Sequence, residues 1–330
     1  MKILVTGATG GLGRNAVDFL LAAGHEVLAT GRNAAIGVEL AAQGAQFVPF
    51  DLTSDEPIAL VQQVDAVWHC AALSSPWGAP QDFYKANVVA TRTLARVAGR
   101  AGVSRFVHVS TPSLYFDYQH HRGVSETYQP RKYVNTYAKT KAMAETSARI
   151  VSYDHPDMKV AILRPRGIFG RYDQALVPRI ERVLSERGGR VPLPNGGRAL
   201  VDLTYAENVV HAMWLATIGQ GFESGTAFNI TNHEPTTVAD VLEGLFARQL
   251  GRPFSVRNVP YFVLDTAARA LEGVAWVTGK EPLLTRYSVG ALAFDMTLDT
   301  TRAQTLLGYQ PVVRMAEGIS RTATWMRSRD

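Results

Sequence analysis

A glycine-rich turn near the start of the chain restricts its fold more than any other feature. The run Thr6-Gly7-Ala8-Thr9-Gly10-Gly11-Leu12-Gly13 follows the apolar stretch Ile3–Val5 and opens a predicted helix over 12–23. Glycines at positions 7, 10 and 13 permit a tight turn, close approach of a ligand to the backbone, and tight packing of helix on strand. Free N–H groups at the start of such a helix bind phosphate. The turn therefore predicts a dinucleotide-binding unit.

The rest of the first half alternates short apolar strands with helices. Strands are predicted at 25–30, 47–50, 66–71, 105–110 and 160–163, and helices at 82–101 and from 134 to about 152. Apolar strands separated by helices are typical of a parallel sheet that is covered on both faces. We therefore predict an α/β fold with a Rossmann-type, doubly wound parallel sheet.

After Pro165 the pattern changes, which predicts a second lobe. Gly, Pro and Arg punctuate residues 166–204, and the remainder is predicted as helices with one short strand at Ala227–Ile230. We predict a dinucleotide-binding domain over 1–165, with a return of the chain to it at about 199–233. Residues 166–330 are predicted as a smaller, mostly helical substrate lobe.

Charge and cysteine content narrow the partners and the compartment. The 330 residues carry a formal net charge of +5, but the arginines are dispersed, so nucleic acid is not an expected partner. Positive charge also suits a phosphate-bearing cofactor or a carboxylate substrate. The single cysteine, Cys70, is expected to be buried and unreactive, and it permits no intrachain disulfide. With no signal-peptide pattern and no apolar run of spanning length, we expect a cytoplasmic protein without stable membrane insertion.

One mostly apolar stretch, Tyr261–Val277, is interrupted only by Asp265, Arg269 and Glu272. Their spacing places these three residues on one stripe of a helix. Two interpretations remain open. The helix packs on the core, which the pattern favours, or it lies at a membrane surface or a lipid-binding mouth.

Tyr137 and Lys141 form the most informative pair of polar residues. Their i, i+4 spacing in a predicted helix directs both side chains towards one site. Reduction of a ketone requires a proton for the oxygen while a hydride reaches the carbon. A lysine ammonium close to a phenol lowers the phenol pKa towards a value that suits this exchange. With the glycine turn, the pair predicts hydride transfer that depends on NAD(P).

The turn, Thr-Gly-x-x-Gly-x-x-Gly, and the Tyr-x-x-x-Lys pair together resemble the extended short-chain dehydrogenase/reductase family, within the NAD-dependent epimerase/dehydratase superfamily. The resemblance implies that Thr111, three residues before Leu114-Tyr115, is the catalytic hydroxyl beside Tyr137 and Lys141, with Ser110 and Ser113 as competitors. It also implies a set of cofactor-binding residues. These are Gly7, Thr9, Gly10, Gly11, Leu12 and Gly13 in the turn, Asp51 and Leu52 after the third strand, Ala71 and Ala72 after the fourth, Asn87 in the next helix, and Pro165 and Ile168 after the sixth.

The end of the second strand favours NADP. NAD enzymes usually carry an acid there, whereas this chain has Thr30-Gly31-Arg32. Arg32 can pair with a 2′-phosphate, and Arg14 is a second candidate. We predict NADP, with NAD as the alternative cofactor. The competing interpretation is that both are ordinary surface arginines.

Several segments resemble the 3β-hydroxysteroid dehydrogenase branch, and within it the sterol-4α-carboxylate 3-dehydrogenases (decarboxylating) and the 2-alkyl-3-oxoalkanoate reductases. The resemblance implies hydride transfer between nicotinamide and a secondary alcohol or ketone of a lipid-like β-hydroxy or β-keto acid or a sterol, with Tyr137 as acid and base. Arg166 is the first candidate for the substrate carboxylate. A homodimer formed through helices 82–101 and 134–152 is also implied. The matching segments are 111–116, 163–170, 201–209, 228–232 and 307–311.

The alternative function is a nucleotide-sugar 4-epimerase or dehydratase with tightly bound NAD. In such an enzyme, Arg198 and Arg286 would clamp a diphosphate. His120 and His121 have no nearby acid or cysteine at ligand spacing, so we expect a solvated loop pair and no metal site.

Overall fold

The computed structural model describes residues 1–174, 176–186 and 188–329. Within them, a seven-stranded parallel sheet has the order β12-β7-β5-β4-β1-β2-β3. In chain order the strands are β1 (Lys2–Thr6), β2 (Glu26–Gly31), β3 (Gln46–Pro49), β4 (Ala66–His69), β5 (Arg105–Val109), β6 (His121–Val124), β7 (Lys159–Pro165), β8 (Ile168–Phe169), β9 (Arg190–Pro194), β10 (Leu200–Val201), β11 (Thr204–Tyr205), β12 (Thr226–Ile230), β13 (Thr236–Thr237), β14 (Ser255–Val259) and β15 (Met296–Leu298).

Helices cover both faces of this sheet, as its apolar strands require. The α-helices are α1 (Gly11–Ala22), α2 (Ala34–Ala42), α3 (Ile58–Val61), α4 (Pro80–Phe83), α5 (Ala90–Arg100), α6 (Thr136–Asp154), α7 (Leu176–Glu186), α8 (Ala206–Ile218), α9 (Val238–Leu242), α10 (Tyr261–Thr278), α11 (Arg286–Ala293), α12 (Thr301–Leu307) and α13 (Met315–Arg327). Turns of π-helix, Tyr84–Val89 and Glu243–Gln249, follow α4 and α9, and 3₁₀ turns lie at Pro112–Tyr115 and Asn195–Gly197.

The two layers of the core follow from the alternation of side chains along the strands. On one face, Val17 of α1 and Met213 of α8 belong to a buried cluster with Ile3 and Val5 of β1. On the other face, helices α5 and α6 pack against the strand positions in between; their buried residues include Leu94, Ala98, Ala148 and Val151. The predicted doubly wound α/β fold is confirmed.

The C-terminal half adds one strand to the main sheet and contains further short strands. Strand β12 pairs in parallel with β7. The remainder was predicted as mostly helical, and its short strands were not predicted. A second sheet has the order β13-β10-β15-β6, and β14 pairs with β9. These strands have two to five residues each and no apolar run of their own, so only contacts with distant segments define them.

Helix α10 does not pack on the core as the sequence pattern favoured. Its buried residues are Asp265, Ala268 and Ala275, whereas Trp276 is 76% exposed and Val277 is 89% exposed. The polar stripe instead faces the neighbouring α11, and its aspartate pairs with Arg286 there. In the described part of the chain, no helix combines the length and hydropathy needed to cross a bilayer.

Candidate active site

The glycine turn lies where β1 ends and α1 begins, at the carboxyl edge of the sheet. Gly7 has φ +65°, and a Cβ atom there would lie 2.7 Å from the backbone nitrogen of Ala71. A Cβ atom at Gly13 would lie 2.1 Å from the carbonyl oxygen of Gly7. Only glycine fits at these two positions, since a side chain would force the turn away from β4 and open it.

The turn also leaves a cradle that fits a pyrophosphate. A Cβ atom at Gly10 would meet only the carbonyl oxygen of Gly7, at 3.3 Å, so the crevice is open at this position. No side chain caps the N-terminus of α1. The N–H groups of its first turn, at Gly11, Leu12 and Gly13, are therefore available to an anion at the positive end of the helix dipole. These residues fit the dinucleotide that the sequence predicts.

Arg32 lies beside the turn, where the adenosine end of a dinucleotide would be. Thr9 packs against Gly31, because a Cβ atom at Gly31 would lie 2.6 Å from the Thr9 hydroxyl oxygen. Arg32 follows directly and is exposed, and its charge reaches the carboxylate of Asp51 at the end of β3. Hydrogen bonds from the backbone and hydroxyl of Thr53, together with Arg32, keep the Asp51 pKa low.

The second candidate for the 2′-phosphate already has a partner. Arg14 Nη2 lies 2.6 Å from Glu39 Oε2, and its guanidinium stacks 4.0 Å above the Tyr172 ring. Arg32 is therefore the better placed of the two arginines.

Leu52, which was predicted to lie beside the adenine, is half-buried against the core.

A loop over residues 71–77 connects the turn to the rest of the site. Ala71 donates its N–H to Thr6 Oγ1 (3.3 Å), while Ala72 is exposed. Asn87 accepts a hydrogen bond from the Leu73 N–H (2.8 Å) and donates to the Leu73 carbonyl oxygen and to Thr140 Oγ1. Asn87 thus connects the loop to α6 by hydrogen bonds. The contact of Asn87 with the cofactor stays a prediction.

Tyr137, in the first turn of α6, lies at the centre of a cluster of hydroxyl groups. Ser74 and Thr111 form side-chain hydrogen bonds with its phenol. Thr111 Oγ1 in turn donates to Ser113 Oγ (3.0 Å), which lies 2.6 Å from the hydroxyl oxygen of Tyr287 on α11. The structure thus brings Thr111 and Tyr137 together, as predicted, and adds Ser74, Ser113 and Tyr287 to the same chain of hydrogen bonds.

The electrostatics of Tyr137 differ from the expected arrangement. Burial raises the pKa of Tyr137, and the hydrogen bonds with Ser74 and Thr111 only partly oppose this rise. The sequence predicted that Lys141 lowers this pKa, whereas the pKa is raised and the Lys141 ammonium donates to the carbonyl oxygen of Val109. The phenol is therefore protonated near neutral pH and is suited to donate a proton.

Lys141 is buried one turn further along α6, beneath the end of β5. Its ammonium donates to the carbonyl oxygen of Val109 (2.7 Å) and lies 3.4 Å from His108 Nε2. Burial lowers the pKa of Lys141 to about 8, although Glu145 and Cys70 act to raise it. Among the described residues, His108 Nδ1 is buried with no hydrogen-bond partner.

Two histidines below Lys141 were not recognised in the sequence. His69 of β4 and His108 of β5 are register partners and stack at 5.3 Å between ring centroids. Burial and Lys141 lower the pKa of His69 to about 3, and burial also lowers that of His108, so both rings are neutral. The sequence feature that could have revealed this pair is the histidine near the end of each of these two apolar strands.

A buried ion pair fixes the far side of α6. Glu145 accepts hydrogen bonds from Ser110 Oγ (2.6 Å) and from Arg164 Nε (2.8 Å). Arg164 also contacts the Tyr115 hydroxyl, which donates to Asn229 Oδ1 (2.8 Å). Ser110, a competitor of Thr111, is thus committed to Glu145, which strengthens the assignment of Thr111 as the hydroxyl beside Tyr137.

The remaining candidates lie around the carboxyl end of β7. Pro165 ends this strand, and Ile168 lies in β8. Arg166 Nε is buried with no hydrogen-bond partner among the described residues. Arg198 is exposed, whereas Arg286 Nε donates to Asp265 Oδ1 (2.9 Å) and holds α11 against α10. Arg166 Nε is therefore free to bind a ligand, and the charge of Arg166 also acts on the buried Asp202 carboxylate, while Arg286 already has a carboxylate partner.

The histidine pair and the cysteine show no catalytic arrangement. His121 begins β6 and contacts Asp117 Oδ1 at 2.9 Å, so the prediction of a solvated loop is wrong for this residue. His120 accepts a hydrogen bond from the Asp295 N–H. Within the described ranges, no three His, Cys, Asp or Glu residues cluster as metal ligands. Burial raises the pKa of Cys70 to about 12, so its thiol is protonated at neutral pH.

Comparison with known proteins agrees with this geometry. The sequence profile of the NAD dependent epimerase/dehydratase family matches residues 3–231. Protein YbjS of Escherichia coli (strain K12) is 47% identical over 99% of this chain and 98% of its own length. The 2-alkyl-3-oxoalkanoate reductase of Stenotrophomonas maltophilia (strain K279a) is 32% identical over 97% of this chain and 98% of its own. MoeE5, solved in complex with UDP-glucuronic acid and NAD, is similar with a TM-score of 0.78 at 25% identity, over 100% of both chains.

The doubly wound sheet and its glycine turn, together with the family match and the relatives, show a Rossmann-fold oxidoreductase that uses a nicotinamide cofactor and acts on hydroxyl or keto groups. More specifically, the chain belongs to the NAD dependent epimerase/dehydratase family, because the family profile covers more than half of its 330 residues. Within this family, it falls among the extended short-chain dehydrogenases/reductases, in the 3β-hydroxysteroid dehydrogenase branch.

Proposed function

We propose that this protein is an NADP-dependent reductase of lipid-like β-keto acids, or a dehydrogenase of the corresponding β-hydroxy acids. The observation that carries the proposal is the placement of the Tyr137 phenol on α6 beside the hydroxyl groups of Thr111 and Ser74, near an open dinucleotide crevice. A phenol at such a position can donate a proton to a carbonyl oxygen as a hydride reaches the carbon. A bound nicotinamide supplies or accepts that hydride.

Each part of the site has a role in this reaction. Tyr137 exchanges the proton with the substrate oxygen, and Thr111 orients that oxygen by a hydrogen bond. Lys141 is proposed to bind the nicotinamide ribose from its buried position below Val109. Residues of the turn, with Asp51, Leu52, Ala71, Ala72, Pro165 and Ile168, are proposed to line the remainder of the cofactor.

The proposed substrate class depends on Arg166 and on the relatives. A buried guanidinium nitrogen without a partner favours an anionic group at this position, and a substrate carboxylate would supply it. The 2-alkyl-3-oxoalkanoate reductase relative, by its name, acts on a branched β-keto acid of this kind. We propose residues 166–330, apart from the return to the dinucleotide-binding domain at about 199–233, as the lobe that holds this substrate.

A nucleotide-sugar 4-epimerase or dehydratase is the second candidate. It is favoured by the similarity over the whole chain to MoeE5, whose structure contains UDP-glucuronic acid. Against it, Arg286 already pairs with Asp265 and also lies over the Tyr118 ring, so its release to clamp a diphosphate would break this pair and leave Arg269 as the remaining partner of a largely buried carboxylate.

A ladder of substrates separates the two candidates. Each methylene buried in an apolar pocket contributes about 0.8 kcal/mol, so affinity for 3-keto acids should rise roughly fourfold per methylene until the pocket is full. The measurement follows NAD(P)H absorbance with 3-keto acids of increasing length, with and without a 2-alkyl branch, beside a panel of UDP-sugars. A flat response to chain length together with turnover of a UDP-sugar would establish the epimerase instead.

The preference for NADP is tested at Arg32. Arg32→Asp places a carboxylate beside the 2′-phosphate, and the lost pair and new repulsion should cost about 2–4 kcal/mol of NADP affinity. NAD affinity should fall less or rise. Both cofactors are titrated by fluorescence against wild type and against Arg190→Asp, which makes the same charge change at an exposed site at the start of β9. A wild-type preference for NAD of about tenfold or more would reverse the assignment.

The oligomeric state and compartment stay predictions. We propose a homodimer formed through α5 and α6. These helices pack on one another, and Ile150 and Tyr153 of α6 are exposed. We propose a cytoplasmic location. The chain has a single cysteine, Cys70, and therefore cannot form the intrachain disulfides that are common in oxidising compartments.

A further inference from the structure

A row of hydroxyl groups leads away from the Tyr137 phenol and ends in the C-terminal lobe. The phenol bonds Thr111, whose Oγ1 lies 3.0 Å from Ser113 Oγ. Ser113 Oγ lies 2.6 Å from the hydroxyl oxygen of Tyr287 on α11, a contact between residues 174 positions apart. We call Thr111, Ser113 and Tyr287 the hydroxyl chain. The proposed function uses its first member and leaves the other two without a role.

The two hydroxyl partners of the phenol lie in different surroundings. Ser74 is exposed, on the loop over residues 71–77. Thr111, in the turn after β5, is 7% exposed. A substrate oxygen that comes from solvent must therefore approach the phenol on the side of Ser74. Once a substrate fills that side, Thr111 is the hydroxyl partner that connects the phenol to the rest of the protein.

The far end of the hydroxyl chain lies closer to water than its middle. Ser113 is 6% exposed, whereas Tyr287 is only partly buried. The histidines beneath Lys141 offer no comparable route, because His69 and His108 are both 0% exposed. The hydroxyl chain thus connects the buried side of the phenol with the protein surface at α11.

The first turn of α11 is held in place on both sides, so the position of Tyr287 is well defined. A capping box begins the helix. Arg286 Nε donates to Asp265 Oδ1 of α10 at 2.9 Å. The Tyr287 ring packs edge-on against Phe116, with centroids 5.7 Å apart and planes at 88°. These contacts direct the Tyr287 hydroxyl at Ser113.

The chemistry of a reductase gives such a chain a use. Reduction of a ketone takes up one proton from water in every turnover, so the phenol that donates it must be protonated again. An epimerisation has no net demand for protons. Each hydroxyl group can donate one hydrogen and accept others, so hydroxyls at hydrogen-bond distance can pass a proton along the row in either direction.

We propose that the hydroxyl chain is a proton relay that returns a proton from water to Tyr137 after each reduction. During the reduction, the O–H bond of Tyr137 breaks and its proton forms the O–H bond of the product. The phenolate then takes the hydroxyl proton of Thr111, and each hydroxyl takes the proton of the next. Tyr287, at the outer end, takes a proton from water. Oxidation of the alcohol runs the relay in reverse.

The proposal deepens the proposed function and rests on it, so the test separates the two. The first turnover starts from a protonated phenol and needs no relay, whereas every later turnover does. Enzyme saturated with NADPH is mixed rapidly with excess 2-alkyl-3-oxo acid, and NADPH absorbance is followed. In Tyr287→Phe, the first turnover should stay within about twofold of the wild-type rate, while kcat should fall by about tenfold or more.

A small buffer provides a readout that a structural defect would not change. Imidazole at increasing concentration should restore the kcat of Tyr287→Phe towards the wild-type value, since it can carry the proton that the broken chain no longer delivers. The kcat of wild type should not depend on imidazole. Ser113→Ala interrupts the chain one position earlier and should show the same loss and the same recovery.

The matched control is Tyr118→Phe, which removes a phenol hydroxyl from the same aromatic cluster and should leave both rates unchanged. Circular dichroism confirms that each variant is folded. An unchanged kcat in Tyr287→Phe, or a loss that imidazole does not reverse, would overturn the relay while the reductase assignment stands. If wild type reduces no keto acid, the proposed function is wrong and the relay is wrong with it.

Discussion

Tyr137→Phe should reduce turnover of a 3-keto acid by about 100-fold or more while the dissociation constant for NADPH changes by less than about twofold. The substitution removes the proton donor but keeps the ring that packs against Phe83, with centroids 6.5 Å apart. The loss should lie in kcat as well as kcat/KM, because proton donation is needed only as the carbonyl oxygen gains charge.

Further variants show whether the loss of turnover is specific to the Tyr137 phenol. Tyr153→Phe removes a phenol that is 80% exposed near the end of α6 and should leave turnover unchanged. Lys141→Ala should weaken both cofactor binding and turnover, since Lys141 is proposed to serve both. Thr111→Val should lower turnover and Thr111→Ser should restore it. Near-normal activity of Tyr137→Phe would remove Tyr137 from the chemistry and with it the proposed mechanism.

Glu145→Ala should lower the free energy of unfolding by about 3–5 kcal/mol, because it leaves the guanidinium of Arg164 buried without its counter-ion. Both side chains are buried, and Glu145 also accepts the hydroxyl hydrogen of Ser110. Urea unfolding followed by circular dichroism measures the change. Glu145→Leu/Arg164→Met removes both charges and should recover most of the loss, which separates the unpaired charge from a general packing defect.

An exposed pair on α7 provides the control. Glu186→Ala breaks the i, i+4 pair with Arg182 and should cost no more than about 0.5 kcal/mol. A cost of under about 1 kcal/mol for Glu145→Ala would contradict the importance of the buried pair.

The Glu145–Arg164 pair should also make the free energy of unfolding depend on pH in the acid range. Burial alone would raise the pKa of Glu145, but Arg164 and Ser110 outweigh it and the pKa is lowered. The folded protein therefore binds this proton less readily than the unfolded chain. The stabilisation that ionised Glu145 contributes is complete above the ordinary Glu pKa of about 4.3. It is lost as the pH falls through the pKa that Glu145 has in the folded protein. In Glu145→Leu/Arg164→Met, this part of the acid dependence should disappear.

The sequence predicted those parts of the molecule that depend on neighbours along the chain. The apolar run at Ile3–Val5 indicates a buried strand, whatever its neighbours in the sheet are. Gly7 and Gly13 indicate the tight turn, because a side chain at either position would collide with the backbone. Tyr137 and Lys141 could be recognised because one helix carries both. For the same reason, the doubly wound sheet was predicted correctly.

The parts that it did not predict depend on distant residues. Helix α10 has the pattern of a core helix, and only the pairing of Asp265 with Arg286, 21 residues away, shows which side faces inward. Ser74 and Tyr287 reach the Tyr137 cluster from a loop and from α11. Burial by the surrounding chain, which the i, i+4 spacing does not reveal, is also what raises the Tyr137 pKa.

If the proposed function is correct, this chain transfers a hydride from added nicotinamide cofactor to the carbonyl carbon of a lipid-like keto acid. The decisive experiment uses NADPH that carries deuterium at the transferable C4 position and a 2-alkyl-3-oxo acid. We expect one deuterium at C3 of the hydroxy acid product, detected by mass spectrometry, at a rate that falls about 100-fold or more in Tyr137→Phe. Conversion of a UDP-sugar with no deuterium gained from the added cofactor, and no reduction of any keto acid, would contradict it.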